Sequence, residues 1–153
     1  MKTFRIPLIF LIFSIIVSLL TILSFYVGDY RFYPDNHTFQ LLTYAGLAAA
    51  VLEGAWMMYF SRGEIARIRK IDNEFDRLAS YRKAYSRQYV IAFLAECVVC
   101  ACIVLSYNRA IIMVLLVLTM VMVVLFPNMY KAKNDLSLSD KTMKSVFGDK
   151  YIQ

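Results

Sequence analysis

The chain has little charge and few of the residues from which enzyme sites are usually built. Charged residues make up 18% of its 153 residues, whereas 60% are hydrophobic and 15% are aromatic. A water-soluble fold of this size would have too little polar surface to cover itself, because soluble domains average roughly 45–50% apolar residues. The composition therefore indicates a membrane protein.

Histidine and glycine are also scarce, and each shortage narrows the possible chemistry. A single histidine, His37, excludes haem held between two histidines and histidine metal clusters. The five glycines form no phosphate-binding loop, and neither a serine-nucleophile elbow nor a metalloprotease motif is present. We therefore expect no enzymatic activity, no cofactor and no bound metal.

The three cysteines, Cys97, Cys100 and Cys102, lie within one apolar run and predict no disulfide framework. Cys97 and Cys100 have the C-x-x-C spacing of a thiol redox pair. A membrane thiol oxidoreductase would need a second cysteine pair in a loop, and the sequence has none. Since a buried thiol behaves as a small hydrophobic group, we interpret these cysteines as packing residues.

Four apolar stretches have the length of membrane-spanning helices. They cover about residues 6–27, 39–60, 89–107 and 110–126. A helix crosses the hydrocarbon core with about 17–25 apolar residues, so we predict an all-α, integral membrane four-helix bundle. The first stretch follows Lys2 and Arg5, but its apolar run is longer than that of a signal peptide. We interpret it as a retained helix.

Basic residues gather on one side of this arrangement. Of the 17 Lys and Arg residues, all but Arg31 and Arg109 lie at the N-terminus, in the segment 62–88 or in the tail 128–153. Because basic loops stay in the cytoplasm, we predict cytoplasmic N- and C-termini in a bacterial inner or plasma membrane. The net charge of +6 then faces anionic lipid headgroups rather than nucleic acid.

The cytoplasmic segment 62–88 has the pattern of an amphipathic helix. The apolar residues of its stripe include Ile65, Ile68, Phe75 and Leu78. Either the segment lies on the membrane surface, or it breaks near residues 72–73, so that helices two and three extend inward as a hairpin. The hairpin is preferred, because the apolar residues before the break could then face those after it.

The tail contains the signals of one more short helix. Pro127 ends the fourth predicted helix, and Ser139 and Gly148 have the positions of an N-cap and a C-cap. Between the two caps, Met143 and Phe147 form a short apolar face. This helix either covers the end of the bundle or offers a docking peptide to a partner.

Small residues mark two helix faces on which backbones could approach closely. In the second helix they are Gly46, Ala50 and Gly54, spaced by four. The first helix has a weakly polar stripe that includes Ser14 and Ser18. We expect these faces to pack together or to form a contact between two copies. The fourth helix, which is almost uniformly apolar, is expected to be the most exposed to lipid.

Two acidic residues, Glu53 and Glu96, lie inside the second and third predicted spans. Each is roughly 12 Å from the cytoplasmic edge of a hydrocarbon core about 30 Å thick. A charge there costs a few kcal/mol, and no basic residue lies at matching depth. One hypothesis is that the pair holds a proton or binds a cation or a cationic substrate. The alternative is that hydroxyl groups of Ser14, Ser18 or Tyr44 bind the carboxyl groups and merely join the helices.

Two classes of function follow from these features. The chain is a non-enzymatic scaffold, accessory subunit or regulator that acts through its cytoplasmic segments, or it is an oligomeric proton- or cation-coupled small transporter that uses Glu53 and Glu96. The first class is preferred, because four helices are few for a transport pathway within one monomer. Expected partners are anionic lipid headgroups and either a second copy of the chain or another membrane protein.

Overall fold

The computed structural model describes residues 4–27, 36–106 and 109–148. These ranges contain the six helices α1 (Arg5–Val27), α2 (Asn36–Ile68), α3 (Glu74–Ser106), α4 (Arg109–Val124), α5 (Met129–Leu136) and α6 (Asp140–Phe147). No strand occurs in them, which confirms the predicted all-α class for this part of the chain. The predicted outer loops, 28–38 and 106–109, lie largely outside the described residues.

Three of these helices, α1, α2 and α3, are long and apolar enough to cross a membrane. The 16-residue helix α4 is shorter. Together with α5, from which it is bent by 72°, it makes a fourth candidate. The bend falls around Pro127, where the sequence predicts the end of a helix, because proline lacks the amide hydrogen that the next turn needs. Three to four such helices are compatible with a multi-pass membrane protein.

Helices α2 and α3 form a hairpin that extends beyond the predicted spans. Each has 33 residues, so the predicted span 39–60 continues as one helix through Ile68. The two helices are separated only by residues 69–73, an arrangement that matches the hairpin and not a single surface helix. At the start of α3, the backbone N–H of Phe75 donates to the side-chain oxygen of Asn73 at 3.0 Å.

Helix α3 is central, because it packs against α1, α2 and α4. The inward faces of α2 and α3 alternate spacings of three and four residues, as in other closely packed helix pairs. On α2 the buried residues include Gly46, Ala50, Glu53, Met57 and Phe60. On α3 they include Tyr89, Ala92, Glu96, Val99 and Ile103. Each glutamate therefore sits on the buried stripe of its own helix.

The small-residue faces pack differently from the expected pairing. A Cβ atom added to Gly46 would lie 3.0 Å from the Cβ atom of Cys102 and 3.5 Å from Cδ1 of Ile111, so this glycine faces α3 and α4. On α1, Ser18 contacts Glu96 of α3 and not α2. Each face thus packs against α3 and α4, because the buried carboxyl group of Glu96 requires polar partners.

Helix α4 has a buried stripe, which its uniform composition concealed. Its residues Ile111, Leu115, Leu118 and Met122 are at most 6% exposed. The opposite face is open, with Met120 71% exposed. The expectation that α4 is the helix most exposed to lipid did not include this buried stripe, because a sequence without polar residues does not reveal which side packs.

Two glycines of α2 provide a matched test of this packing. Gly46→Ala is expected to lower the stability of the purified protein by roughly 1–3 kcal/mol, because the new methyl group overlaps Cys102. Gly54→Ala, whose methyl group would meet only Leu118 at 3.8 Å, should be neutral or stabilise by up to about 1 kcal/mol. Thermal unfolding in detergent measures both changes, and equal midpoints would contradict the close approach at Gly46.

The tail folds onto the turn end of the hairpin and completes an apolar core that continues into the bundle. We call this unit the headpiece and define it as residues 62–88 and 128–148. Its most buried apolar side chains, each at most 5% exposed and all in one cluster, include Ile68, Leu78, Leu136, Leu138 and Met143. The sequence predicted α6 but not α5. The cap residues Ser139 and Gly148 hold the predicted positions at the two ends of α6.

This core corrects three of the residues that were predicted to face a partner or lipid. Ile68, Leu78 and Met143 are buried inside the headpiece, because the hairpin and the tail cover each other there. Ile65 and Phe147 are partly buried against the same cluster. A further member of the predicted set, Phe75, is 54% exposed.

Two arginines of the hairpin hold the end of α5. Arg77 donates through Nη1 to the carbonyl oxygen of Leu136 at 2.8 Å and through Nε to that of Ile71 at 2.9 Å. Arg69 donates to the carbonyl oxygen of Asp135. The last carbonyl groups of a helix lack partners within the helix and attract cations. These contacts therefore tie the tail to the turn of the hairpin.

Glu74 makes a separate tie between α3 and α6. Its Oε2 atom accepts from the backbone N–H of Ser139 at 3.1 Å and from the Ser139 hydroxyl at 2.8 Å. Ser139 is also the N-cap of α6, so its oxygen accepts from the backbone N–H of Thr142. One serine thus starts α6 and anchors it to the first turn of α3.

Candidate functional site

Four polar side chains, one from each of α1 to α4, lie at one level of the bundle. They are Ser18, Glu53, Glu96 and Thr119, and we call them the polar layer. The apolar cluster on the headpiece side of the layer includes Met57, Ala92 and Met122. The cluster on the other side includes Ala50, Val99 and Leu118. The layer therefore interrupts the packed interior of the candidate spans.

Glu96 is fully buried, and only one of its carboxyl oxygens has hydrogen-bond partners. The Ser18 hydroxyl donates to Oε1 at 2.7 Å, and the Thr119 hydroxyl lies 2.9 Å from the same oxygen. Oε2 is buried and has no hydrogen-bond partner within the described ranges. Ser18 thus donates to Oε1, whereas the single hydroxyl proton of Thr119 can go either to Oε1 or to the carbonyl oxygen of Leu115, which lies 3.0 Å away.

Glu53 is 3% exposed, and neither of its carboxyl oxygens has a hydrogen-bond partner among the residues described. Its carboxyl group lies near enough to Glu96 for their charges to interact. A buried carboxylate that lacks both a hydrogen bond and an opposite charge is strongly disfavoured. The pair is therefore stable only when a proton, a cation or water occupies the free positions.

A groove between α2 and α3 leads to Glu53. It has a volume of about 420 Å³, and its walls include Leu52, Trp56, Ile91 and Val98. The indole N–H of Trp56 has no hydrogen-bond partner in the described part of the chain. Aromatic rings attract cations, and a carboxyl group at the base of an apolar groove supplies the opposite charge. The groove is thus suited to a cation with an apolar body.

The sequence identified both carboxyl groups but only part of their surroundings. Ser18 holds the position that was expected for a hydroxyl partner. Ser14 is buried, but its hydroxyl has no hydrogen-bond partner in the described ranges, and Tyr44 is 68% exposed. Thr119 was missed as a partner. As the only hydroxyl in the predicted fourth span, it was itself a signal that this helix meets a buried polar group.

Two of the cysteines, Cys97 and Cys100, lie close enough to Glu53 and Glu96 for the charges to act on them. Cys97, Cys100 and Cys102 are free thiols, the last two buried. Within residues 4–27, 36–106 and 109–148, no three His, Cys, Asp or Glu side chains are grouped as metal ligands would be. The carboxyl pair and its two hydroxyl partners are thus the chemical groups from which a role can be argued.

Comparison with models of known protein families, with curated proteins and with solved structures finds no match for this chain. Resemblance therefore contributes nothing to the assignment of a role. The inference that follows depends on the chemistry of the polar layer and its groove.

Proposed function

We propose that the chain crosses a bilayer four times with both termini in the cytoplasm, and that Glu53 and Glu96 bind a proton or a hydrophobic monovalent cation in exchange. The protein acts, in this proposal, as an oligomeric cation-coupled small transporter. The observation that carries the proposal is the buried pair itself, with three of its four carboxyl oxygens unpartnered within the described ranges. A pair that only joined helices would be expected to have its polar atoms satisfied.

The proposed topology is supported by helix length and by the distribution of charge. The hydrocarbon core is about 30 Å thick, and α1, α2 and α3 are each long enough to cross it. α4 is the fourth crossing, and its 16 residues require slight thinning of the bilayer around it. The basic residues at the N-terminus, in the hairpin and in the tail then lie on one side of the membrane, as the positive-inside rule requires.

Exchange at the pair keeps the charge of the site constant. Positions 6–27 and 110–126 contain no charged residue, so α1 and α4 add no charge to the polar layer. A monovalent cation that enters must therefore displace one proton, because extra charge at this depth costs a few kcal/mol. Glu53, at the groove, contacts the cation. The displaced proton leaves Glu53, whereas Glu96, bound by Ser18 and Thr119, keeps its own proton.

Uptake by reconstituted protein tests this role. Proteoliposomes with a proton gradient are expected to accumulate tetraphenylphosphonium, a hydrophobic monovalent cation. Glu53→Gln should reduce the uptake by about tenfold or more, because it removes the counter-charge of the cation within a buried site. Glu64→Gln is the matched control on α2, since Glu64 is paired with Arg87 at 3.8 Å in the headpiece.

Two results would count against the transporter. The first is equal uptake by Glu53→Gln and the unaltered protein when circular dichroism shows equal helix content. This result would mean that transport does not use the carboxyl pair. The second is a native mass spectrum that contains only monomers. It would contradict the proposed oligomer, and one monomer does not offer a pathway wide enough for the cation.

A scaffold or regulatory role is the second candidate, and the exposure of Phe75 favours it. This aromatic side chain is 54% exposed in the first turn of α3, at the tip of the hairpin. An aromatic residue in that position is suited to a hot spot for a partner protein. A photocrosslinking residue at position 75 should capture one stoichiometric partner in cells, and the same residue at exposed position 83 should not. Equal labelling at both positions would contradict a specific contact.

A further inference from the structure

We propose that a basic pocket where α2, α3 and the α4–α5 bend meet binds a phosphate-bearing anion, supplied as the headgroup of an anionic lipid. The pocket has a volume of about 320 Å³. Its charged lining consists of the basic residues Arg62, Arg69 and Lys131 and the acidic residue Asp135. It lies apart from the polar layer, so this inference rests on the proposed membrane topology but not on the proposed transport.

The basic side chains of the pocket have unused donors, and the acidic side chain in the lining, Asp135, lies near enough for its charge to act on Lys131. In the described part of the chain, none of Arg62, Arg69 and Lys131 forms a salt bridge. The carboxyl group of Asp135 instead accepts from the Tyr81 hydroxyl at 2.7 Å. A lysine ammonium group has three donors, and Lys131 uses one on the carbonyl oxygen of Leu125 at 2.8 Å. The pocket therefore has positive charge that an anion can neutralise.

The lysine at the centre of the pocket is held in position from two sides. Its Nζ atom lies 5.9 Å from the ring centroid of Tyr85, a distance typical of cation–π contacts. The bond to Leu125 uses a carbonyl group that the end of α4 leaves free. Together these contacts hold the ammonium group in the wall of a pocket that Arg62 also lines, so both cations are available to one phosphate.

The pocket also lies where a lipid headgroup would be in the proposed topology. Arg62 follows the predicted inner end of the second span by two residues, and Leu125 follows the last residue of α4. Tyr59, one turn before the pocket, is 77% exposed, as is typical of aromatic residues at a membrane interface. A phospholipid whose phosphate group binds Arg62 and Lys131 would place its acyl chains along the exposed face of α4, where Val124 is 77% exposed.

Lipid retention measures this site directly. The full chain is placed in nanodiscs that contain phosphatidylglycerol in phosphatidylcholine, and the lipids that remain bound are counted by native mass spectrometry. Arg62→Gln and Lys131→Gln should each retain phosphatidylglycerol about fivefold less well, because each removes one basic contact to the headgroup. Lys83→Gln and Lys141→Gln remove the same charge from exposed headpiece positions and should retain it as the unaltered protein does.

Further variants and conditions separate the alternatives. Lys131→Arg keeps the charge and should restore retention, which distinguishes lost binding from misfolding of Lys131→Gln. Equal loss in all four glutamine variants would overturn the pocket in favour of diffuse attraction by the basic surface. Binding of inorganic phosphate to a protein that retains phosphatidylglycerol no better than phosphatidylcholine would overturn the lipid as the source of the phosphate. No difference between any variant and the unaltered protein would overturn the proposal entirely.

Discussion

Replacing Leu78 by alanine is expected to lower the free energy of unfolding by about 2–5 kcal/mol, as is typical of a truncated core leucine. Leu78 is 5% exposed and shares the headpiece core with Ile68 and Met143. The matched control is Phe75→Ala, one turn earlier on the same helix. It should change stability by less than about 1 kcal/mol, because Phe75 is 54% exposed. Denaturant unfolding of both variants in the same detergent, followed by circular dichroism, measures the difference.

The two variants distinguish the arrangement described here, with Leu78 buried and Phe75 exposed, from the expectation that both residues face a partner. If both were contact residues of a binding surface, both alanine variants would unfold like the unaltered protein and differ only in partner binding. A large loss in Phe75→Ala with none in Leu78→Ala would mean that α3 is rotated from the orientation described. That result would also contradict the burial of Met143, because Met143 and Leu78 belong to the same core.

The second large effect is expected for Arg77, whose guanidinium group joins the hairpin turn to the tail. Arg77→Ala removes hydrogen bonds to the carbonyl oxygens of Ile71, Leu136 and Asp72. Bonds from a charged donor contribute about 1.5–3 kcal/mol each when well buried, and Arg77 is only partly buried. We therefore expect a loss of about 2–4 kcal/mol, most of it local to α5 and α6.

Hydrogen exchange followed by mass spectrometry can locate this loss. Amides of α5 and α6 should exchange about 30-fold faster or more in Arg77→Ala, since 2 kcal/mol corresponds to about that factor, while those of α1 stay unchanged. The control is Arg82→Ala on the same helix, because the Arg82 side chain is exposed. Uniformly faster exchange in all helices would contradict a local tie and would point to global destabilisation.

The helical class followed from composition, and the helix ends followed from a few local signals. Apolar runs of spanning length predicted long helices because unpaired backbone groups are not tolerated in hydrocarbon. Pro127, Ser139 and Gly148 marked ends because their own backbone or side-chain chemistry determines them. α5 escaped notice because its eight residues are polar overall, and its place in the fold depends on Arg69 and Arg77, which are distant in sequence.

The helix pairing could not be predicted from the chain alone. Gly46 signalled a close approach, but a small residue does not specify which helix approaches it. The partner of Ser18 depends on a carboxyl group 78 positions later in the chain. The burial of Leu115 and Met122 depends on helix rotation, which an all-apolar sequence leaves undetermined. Long-range contacts decide these features, and hydrophobic periodicity contains no record of them.

The sequence revealed those residues of the candidate site whose burial costs free energy. Glu53 and Glu96 stood out because acidic groups are rare within apolar runs. Their proximity followed from similar depth on two helices joined by a short connection. The groove beside Trp56 and the basic pocket around Lys131 did not stand out, since each is assembled from residues that are ordinary in their own segments.

The length of the hairpin has a geometric consequence if the chain spans a bilayer as proposed. A helix of 33 residues rises about 50 Å, and the hydrocarbon core accounts for about 30 Å of that. The turn of an inserted hairpin would therefore lie some 20 Å beyond the edge of the hydrocarbon core. A soluble molecule could bind that turn without contacting lipid. A displacement of the turn would be transmitted to the acidic pair along two continuous helices.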